Sequence, residues 1–109
     1  MFQEEVTQLS IQDICALSLK AAESCSFSLQ DKATLRAAVG WCWHPHIDIK
    51  QAMLLASLLD MSINFGDKVV LVSEPAGCQS RTVEYTKAGR LHGMCEAINL
   101  LGADYAQYL

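Results

Sequence analysis

Among the side chains able to hold a transition-metal ion, the sharpest cluster is Cys42, His44, His46, His92 and Cys95. In extended backbone, residues 42, 44 and 46 point to one side. On a helix, residues 92 and 95 share a face. Thiolate and imidazole ligands drawn from two elements would make a tetrahedral zinc site. The spacing fits no common zinc motif, however, and Pro45 interrupts the alternation of the first three. More plainly, His44-Pro45-His46 is a polar turn, and Cys42 and Cys95 are core residues. No metal and no other cofactor is expected on that account. A nucleophilic thiol is the next chemistry to weigh. Cys78 lies in Pro75-Ala76-Gly77-Cys78, with Arg81 three residues on and His92 able to approach. A reactive thiolate needs a base or a cation held beside it, and an exposed loop cysteine without a task is the simpler account. Glu74, Glu84 and Glu96 stand at no spacing that pairs carboxylates, and Glu23 and Asp60 belong to solvated helix surfaces. The chain carries no recognised catalytic set, so no enzymatic activity is expected of it.

Binding chemistry is better represented. Gly66-Asp67-Lys68 lacks the spacing of a phosphate-binding loop. Ala88-Gly89-Arg90 opens a helix, and exposed N–H groups there, with Lys87 and Arg90, could take an anion such as a nucleotide phosphate. The competing account is that Gly89 and Gly93 let the helix lie close to a neighbouring helix or sheet. Trp41 and Trp43 are two apart, so on extended backbone they share a face and could clamp a ligand or partner. They could equally form a lid over the core, one buried and one at the rim. Trp41, Trp43, Arg81, Lys87 and Arg90 are therefore the candidate ligand- or partner-binding residues.

Four helices and a small sheet must position these groups. Ser10 with Asp13 opens a helix over 11–24, whose apolar face runs through Ile11, Ile14, Cys15, Ala22 and Cys25. Ser28 with Asp31 opens a second, over 29–38, closed by Gly40. Residues 41–46 form a connector, because Pro45 drives His44 out of helical geometry. Asp48 with Gln51 opens a third helix, over 49–60, buried on more than one side. Asn64 to Asp67 has turn character. Val69-Val70-Leu71-Val72 and Thr82-Val83-Glu84-Tyr85-Thr86 predict two antiparallel strands joined across Glu74-Pro75-Ala76-Gly77. A last helix over 87–101 carries Leu91, Met94, Cys95, Ile98 and Leu101 on one stripe and stops at Gly102.

The chain of 109 residues has the length of a single domain, 1–109. Its net charge is −4, and its 8 Lys and Arg are scattered, which argues against general nucleic-acid binding. The longest apolar stretch, near Ala52 to Leu59, stops at Asp60, too short to span a membrane, and no signal peptide is expected at the acidic start. Five cysteines without a Cys-x-x-Cys pair predict free thiols in a reducing cytoplasm. An apolar share of 51% exceeds what one small core hides and predicts a homodimer. The small-residue face of the last helix and the strand edges are the expected surfaces.

Trp43-His44-Pro45, Asp48, Gln51-Ala52-Met53-Leu54-Leu55-Ala56, a short hairpin and Cys95-Glu96-Ala97-Ile98 follow one another in an order that resembles the phage ABA-sandwich family, over about residues 41–103. The resemblance implies an α+β domain built as a three-layer α-β-α sandwich around a two- or three-stranded antiparallel sheet, and a phage or prophage origin. It implies no catalytic residue. The expected function is that of a non-catalytic accessory protein that binds a host protein or itself. The alternatives are a binder that sequesters a small anionic ligand such as a nucleotide and, behind it, a zinc-binding or cysteine enzyme.

Overall fold

Three serine and aspartate caps set three of the helix starts. Ser10, Ser28 and Asp48 each accept the backbone N–H three residues on, at 3.2, 2.9 and 3.1 Å. A computed structural model describes residues 3–40, 42–77, 79–85 and 89–109 of the chain. The elements are α1 (Gln3–Thr7), α2 (Ile11–Ser24), α3 (Leu29–Val39), α4 (Ile49–Leu58), β1 (Ser62–Phe65), β2 (Val69–Ser73), a short 3-10 turn (Pro75–Gly77), β3 (Ser80–Glu84) and α5 (Arg90–Ala106). The class is α+β, with five helices and one three-stranded antiparallel sheet ordered β1-β2-β3.

The register gives the sheet two unlike faces. Ile63, Val72 and Arg81 stand in one row, and Phe65, Val70 and Val83 in the next row on the same face. Val70 and Val72 are fully buried, and α5 lies across them. The far side of α5 packs on α2, with α4 beside it, so the layers stack as sheet, α5, then α2 with α4. α3 covers α4 and α2 from outside. Among the described residues, no helix is long and apolar enough to cross a membrane.

Two elements go beyond the expected set. α1 is a single short helix that buries Val6. β1 occupies part of the segment expected as a turn. Its hairpin with β2 closes over Gly66-Asp67-Lys68, where Lys68 takes a left-handed φ of 63° and the Gly66 N–H donates to the Val69 carbonyl at 2.8 Å.

α5 also runs beyond its expected end, through Gly102 to Ala106. Gly102 is here a packing residue rather than a stop. A Cβ on it would meet Leu55 Cδ2 at 2.9 Å and Ser18 Cβ at 3.1 Å. Gly93 has the same role against the sheet end, where a Cβ would lie 2.8 Å from Cβ of Tyr85. Gly89 differs: nothing lies within 4 Å, and its φ of 92° suits the chain's entry into the helix. The small-residue face of α5, expected to meet a second copy, is buried inside the chain. Gly102→Ala should therefore cost about 1–3 kcal/mol through overpacking, seen as a lower urea midpoint with an unchanged slope. An unchanged midpoint would show that α2 and α4 can move apart freely.

Candidate functional site

The connector between α3 and α4 is held by one buried glutamine. Gln51 sits in the first turn of α4, and its amide nitrogen donates to the carbonyls of Ala38 and Cys42 at 2.8 and 2.9 Å. Its amide oxygen accepts the His44 N–H at 2.7 Å. Pro45 is buried in the same segment. The connector is thus a fixed strap, and it carries Trp43 and His46 to the first half of α2.

Trp43 is only 8% exposed, and its indole N–H donates to Ser18 Oγ at 3.0 Å. Ser18 donates in turn to Asn99 Oδ1 at 2.6 Å. The Asn99 amide donates to Cys15 Sγ at 3.4 Å, and that sulfur lies 3.4 Å from His46 Nδ1. The indole can only donate, so Ser18 Oγ accepts from it, and the hydroxyl's one proton has two acceptors in reach, Asn99 Oδ1 and the Cys15 carbonyl at 3.0 Å. Burial pushes the Cys15 thiol above its ordinary range, only partly opposed by the Asn99 bond. Cys15 therefore keeps its proton, and its sulfur and His46 Nδ1 share one hydrogen bond. Burial first, then the nearby His44 and His92, hold His46 below its ordinary pKa, against a smaller opposite pull from Glu96. A thiolate–imidazolium pair is disfavoured on both sides, so the arrangement ties the strap to α2 and α5 rather than activating a nucleophile.

The five residues weighed above as metal ligands lie in or near this strap without forming a centre. Cys95 is buried, its thiol pushed up by that burial and then by Asp48. Cys42 is exposed, and His44 stands 3.9 Å from Asp48. Among the described residues, no three His, Cys, Asp or Glu side chains stand where they could hold one ion.

The candidate binding residues separate. Trp43 belongs to the core. Arg81 is committed internally: Nε and Nη2 grip the two Asp104 oxygens at 2.6 and 2.7 Å, while Nη1 and Nη2 donate to Thr7 Oγ1 and the Gln3 carbonyl. Asp104 is buried and also accepts from Gln3 Nε2 at 3.0 Å. Arg81 thus pins β3, α1 and α5 together. Arg90 begins α5 and lies over the rings of Phe65 and Tyr85, 5.4 and 5.8 Å from their centroids. Trp41, Lys87 and the loop cysteine Cys78 lie outside the described residues.

The most exposed large apolar side chains were not among the candidates. Phe27 and Leu29, on either side of the cap Ser28, are 84% and 85% exposed. A signal for Phe27 existed in the sequence. An apolar residue just before a cap usually packs on the fourth helical residue. At the start of α2, Leu9 packs on the cluster that Ile14 forms with Val6 and Ala103. At the start of α3 the fourth residue is Lys32, which gives Phe27 no apolar partner. A recess of about 450 Å³ opens between α2 and α3, floored by Leu19, Leu35 and Val39 and flanked by Glu23, Lys32 and Arg36; Phe27 lines a separate one, with Cys25, Leu58, Leu59, Pro75 and Tyr105.

Two outcomes follow. Arg81→Ala strands the buried Asp104 carboxylate and should cost about 3–5 kcal/mol in urea unfolding; a loss under about 1 kcal/mol would make the pair dispensable. His46 binds its proton less readily folded than unfolded, so its contribution to stability is full above pH 6.5 and fades as pH falls through its lowered folded value. His46→Asn, which keeps a polar group near Cys15 but does not titrate, should flatten the stability–pH curve below that point, and a curve of unchanged steepness would assign the acid loss to other groups. Compared with family models, curated proteins and solved structures, the chain shows no match.

Proposed function

We propose that this protein acts without turnover, by binding a protein partner through the exposed side chains of Phe27 and Leu29. The observation that carries this reading is the exposure of two large apolar side chains, 84% and 85%, on adjoining turns of backbone. Each forgoes about 1.5–3 kcal/mol that burial would return, and a partner that covers both recovers it. Interface anchors are typically large side chains that a partner's pocket desolvates. The state of the thiols supports the same reading, because Cys15 and Cys95 are both held as buried, protonated groups. A phage or prophage accessory protein, as the family resemblance implies, would act in this way on a host protein or on itself.

Phe27→Asp with Leu29→Asp tests the reading. Neither side chain supports the core, so the double variant should melt within a few degrees of the parent, about the effect of an ordinary surface change. It should lose the protein that the parent retains on a column of host-cell extract. Equal retention by the parent and a folded variant would sink the proposal, and collapse of the fold would show that the two residues are structural.

A further inference from the structure

Resting on that reading, we infer that the protein partner presents an arginine flanked by apolar residues, and that its guanidinium enters the recess that Phe27 lines, where α2, α4 and α5 end. The recess holds about 290 Å³. Cys25, the C-terminal cap of α2, lines it, as do Leu58 and Leu59 at the end of α4 and Tyr105 in the last turn of α5. A helix carries the equivalent of about half a negative charge at its C-terminus, so a cation there is stabilised. Helices often meet this need with a basic side chain in their own last turn. α3 does so with Arg36, whereas α2, α4 and α5 have no basic residue there.

The side chains add to the same sign. The charged residues lining the recess are Asp60 and Glu74, both acidic. Among the described residues, the ion pairs are Arg81 with Asp104 and His44 with Asp48, so neither carboxylate is paired with a cation. Glu74 Oε1 accepts from Gln79 Nε2 at 3.2 Å. Burial, and then the negative charge of Asp104, push the Glu74 carboxyl above its ordinary range. A cation in the recess would offset that repulsion.

The walls select the kind of cation. Two aromatic rings, Phe27 and Tyr105, line the recess, and Leu58, Leu59 and Pro75 add apolar surface. A guanidinium is planar, weakly hydrated, stacks on aromatic rings and forks onto carboxylates, whereas an ammonium is a compact, strongly hydrated point charge. Arginine's methylene stem can lie along the apolar wall. Phe27 and Leu29, 84% and 85% exposed, present more apolar surface than a free cation covers, so the arginine belongs to a chain whose apolar neighbours cover it.

NMR titration of the whole chain tests this with acetyl-Leu-Arg-Leu-amide, the same tripeptide carrying neutral citrulline in place of arginine, and acetyl-arginine-amide alone. The arginine tripeptide should shift the backbone signals of Asp60, Glu74 and Tyr105 with a dissociation constant of about 1 mM. The citrulline tripeptide and acetyl-arginine-amide should each bind at least about tenfold more weakly. Asp60→Asn with Glu74→Gln should remove the preference for arginine over citrulline. Both changes are conservative: asparagine tolerates the left-handed φ of 53° at position 60, and glutamine keeps an acceptor for Gln79. Circular dichroism melts confirm that the double variant is folded, and the arginine–citrulline comparison on the parent decides the matter without it. Equal binding of the two tripeptides, no shift at these signals up to about 10 mM, or a folded double variant that keeps the preference overturns the inference. Acetyl-arginine-amide binding as tightly as the tripeptide assigns the recess to a small free cation and overturns the protein source. Absence of an arginine preference, with retention of a foreign protein still dependent on Phe27 and Leu29, overturns the arginine alone and leaves the protein-binding reading standing.

Discussion

The close approach of neighbouring layers to α5 constrains the rest of the molecule. The sheet lies on one side of this helix and α2 with α4 on the other. A helix packed on both sides must be slim where its neighbours come nearest, and α5 has Gly93 against Tyr85 and Gly102 against Leu55 and Ser18. Ala97, Ala103 and Ala106 are buried on the same helix. Glycine at an exposed helix interior costs about 1 kcal/mol relative to alanine. Here that local cost is offset by contacts that a methyl group would hold apart.

Such close packing also explains why polar groups deep in the fold are so fully matched. Ser18, Asn99 and Asp104 are all buried, and among the described residues no buried side-chain nitrogen or oxygen lacks a partner. Asn99 bridges α5 to α2, Gln51 bridges α4 to the strap, and Asp104 bridges α5 to β3 through Arg81. Each satisfies its bonds with groups from other elements, which sets the relative positions of those elements more sharply than apolar contact alone. The side chains with apparent chemical potential are largely spent on this bracing.

Local signals were readable where a cap and a period agreed. The spans of α2 and α3 follow from Ser10 and Ser28 almost to the residue. Signals failed where tertiary contact decided. Gly102 looks like a helix end in isolation and is a helix interior because Leu55 and Ser18 need the space. The expected strand over 82–86 lies instead at Ser80–Glu84, where pairing with Val69–Ser73 sets its register. β1 was obscured because Asn64 reads as turn chemistry while its partner Leu71 supplies the ladder. For the site, the gathering of Cys42, His44, His46, His92 and Cys95 could not reveal that Cys15, from a helix face read as core, would be the thiol touching His46. Arg81 gave no sign of Asp104, because an ion pair across 23 positions leaves no periodic trace. The lack of an apolar partner for Phe27 was present in Lys32.

The grip of Arg81 and Gln3 on Asp104 bears on the order in which the chain assembles. Gln3 and Asp104 are 101 positions apart, so their contact closes a loop of nearly the whole chain. Loop-closure entropy makes such a contact late unless the intervening segment has already condensed. β2, β3 and α5 are close in sequence and can form Asp104's cradle before α1 arrives. α1, five residues long with only Val6 buried, then docks onto a surface already made. A segment joined last by few contacts is also the first to open, so α1 forms a separate low-energy opening unit, and amide hydrogens in it exchange ahead of those beneath it.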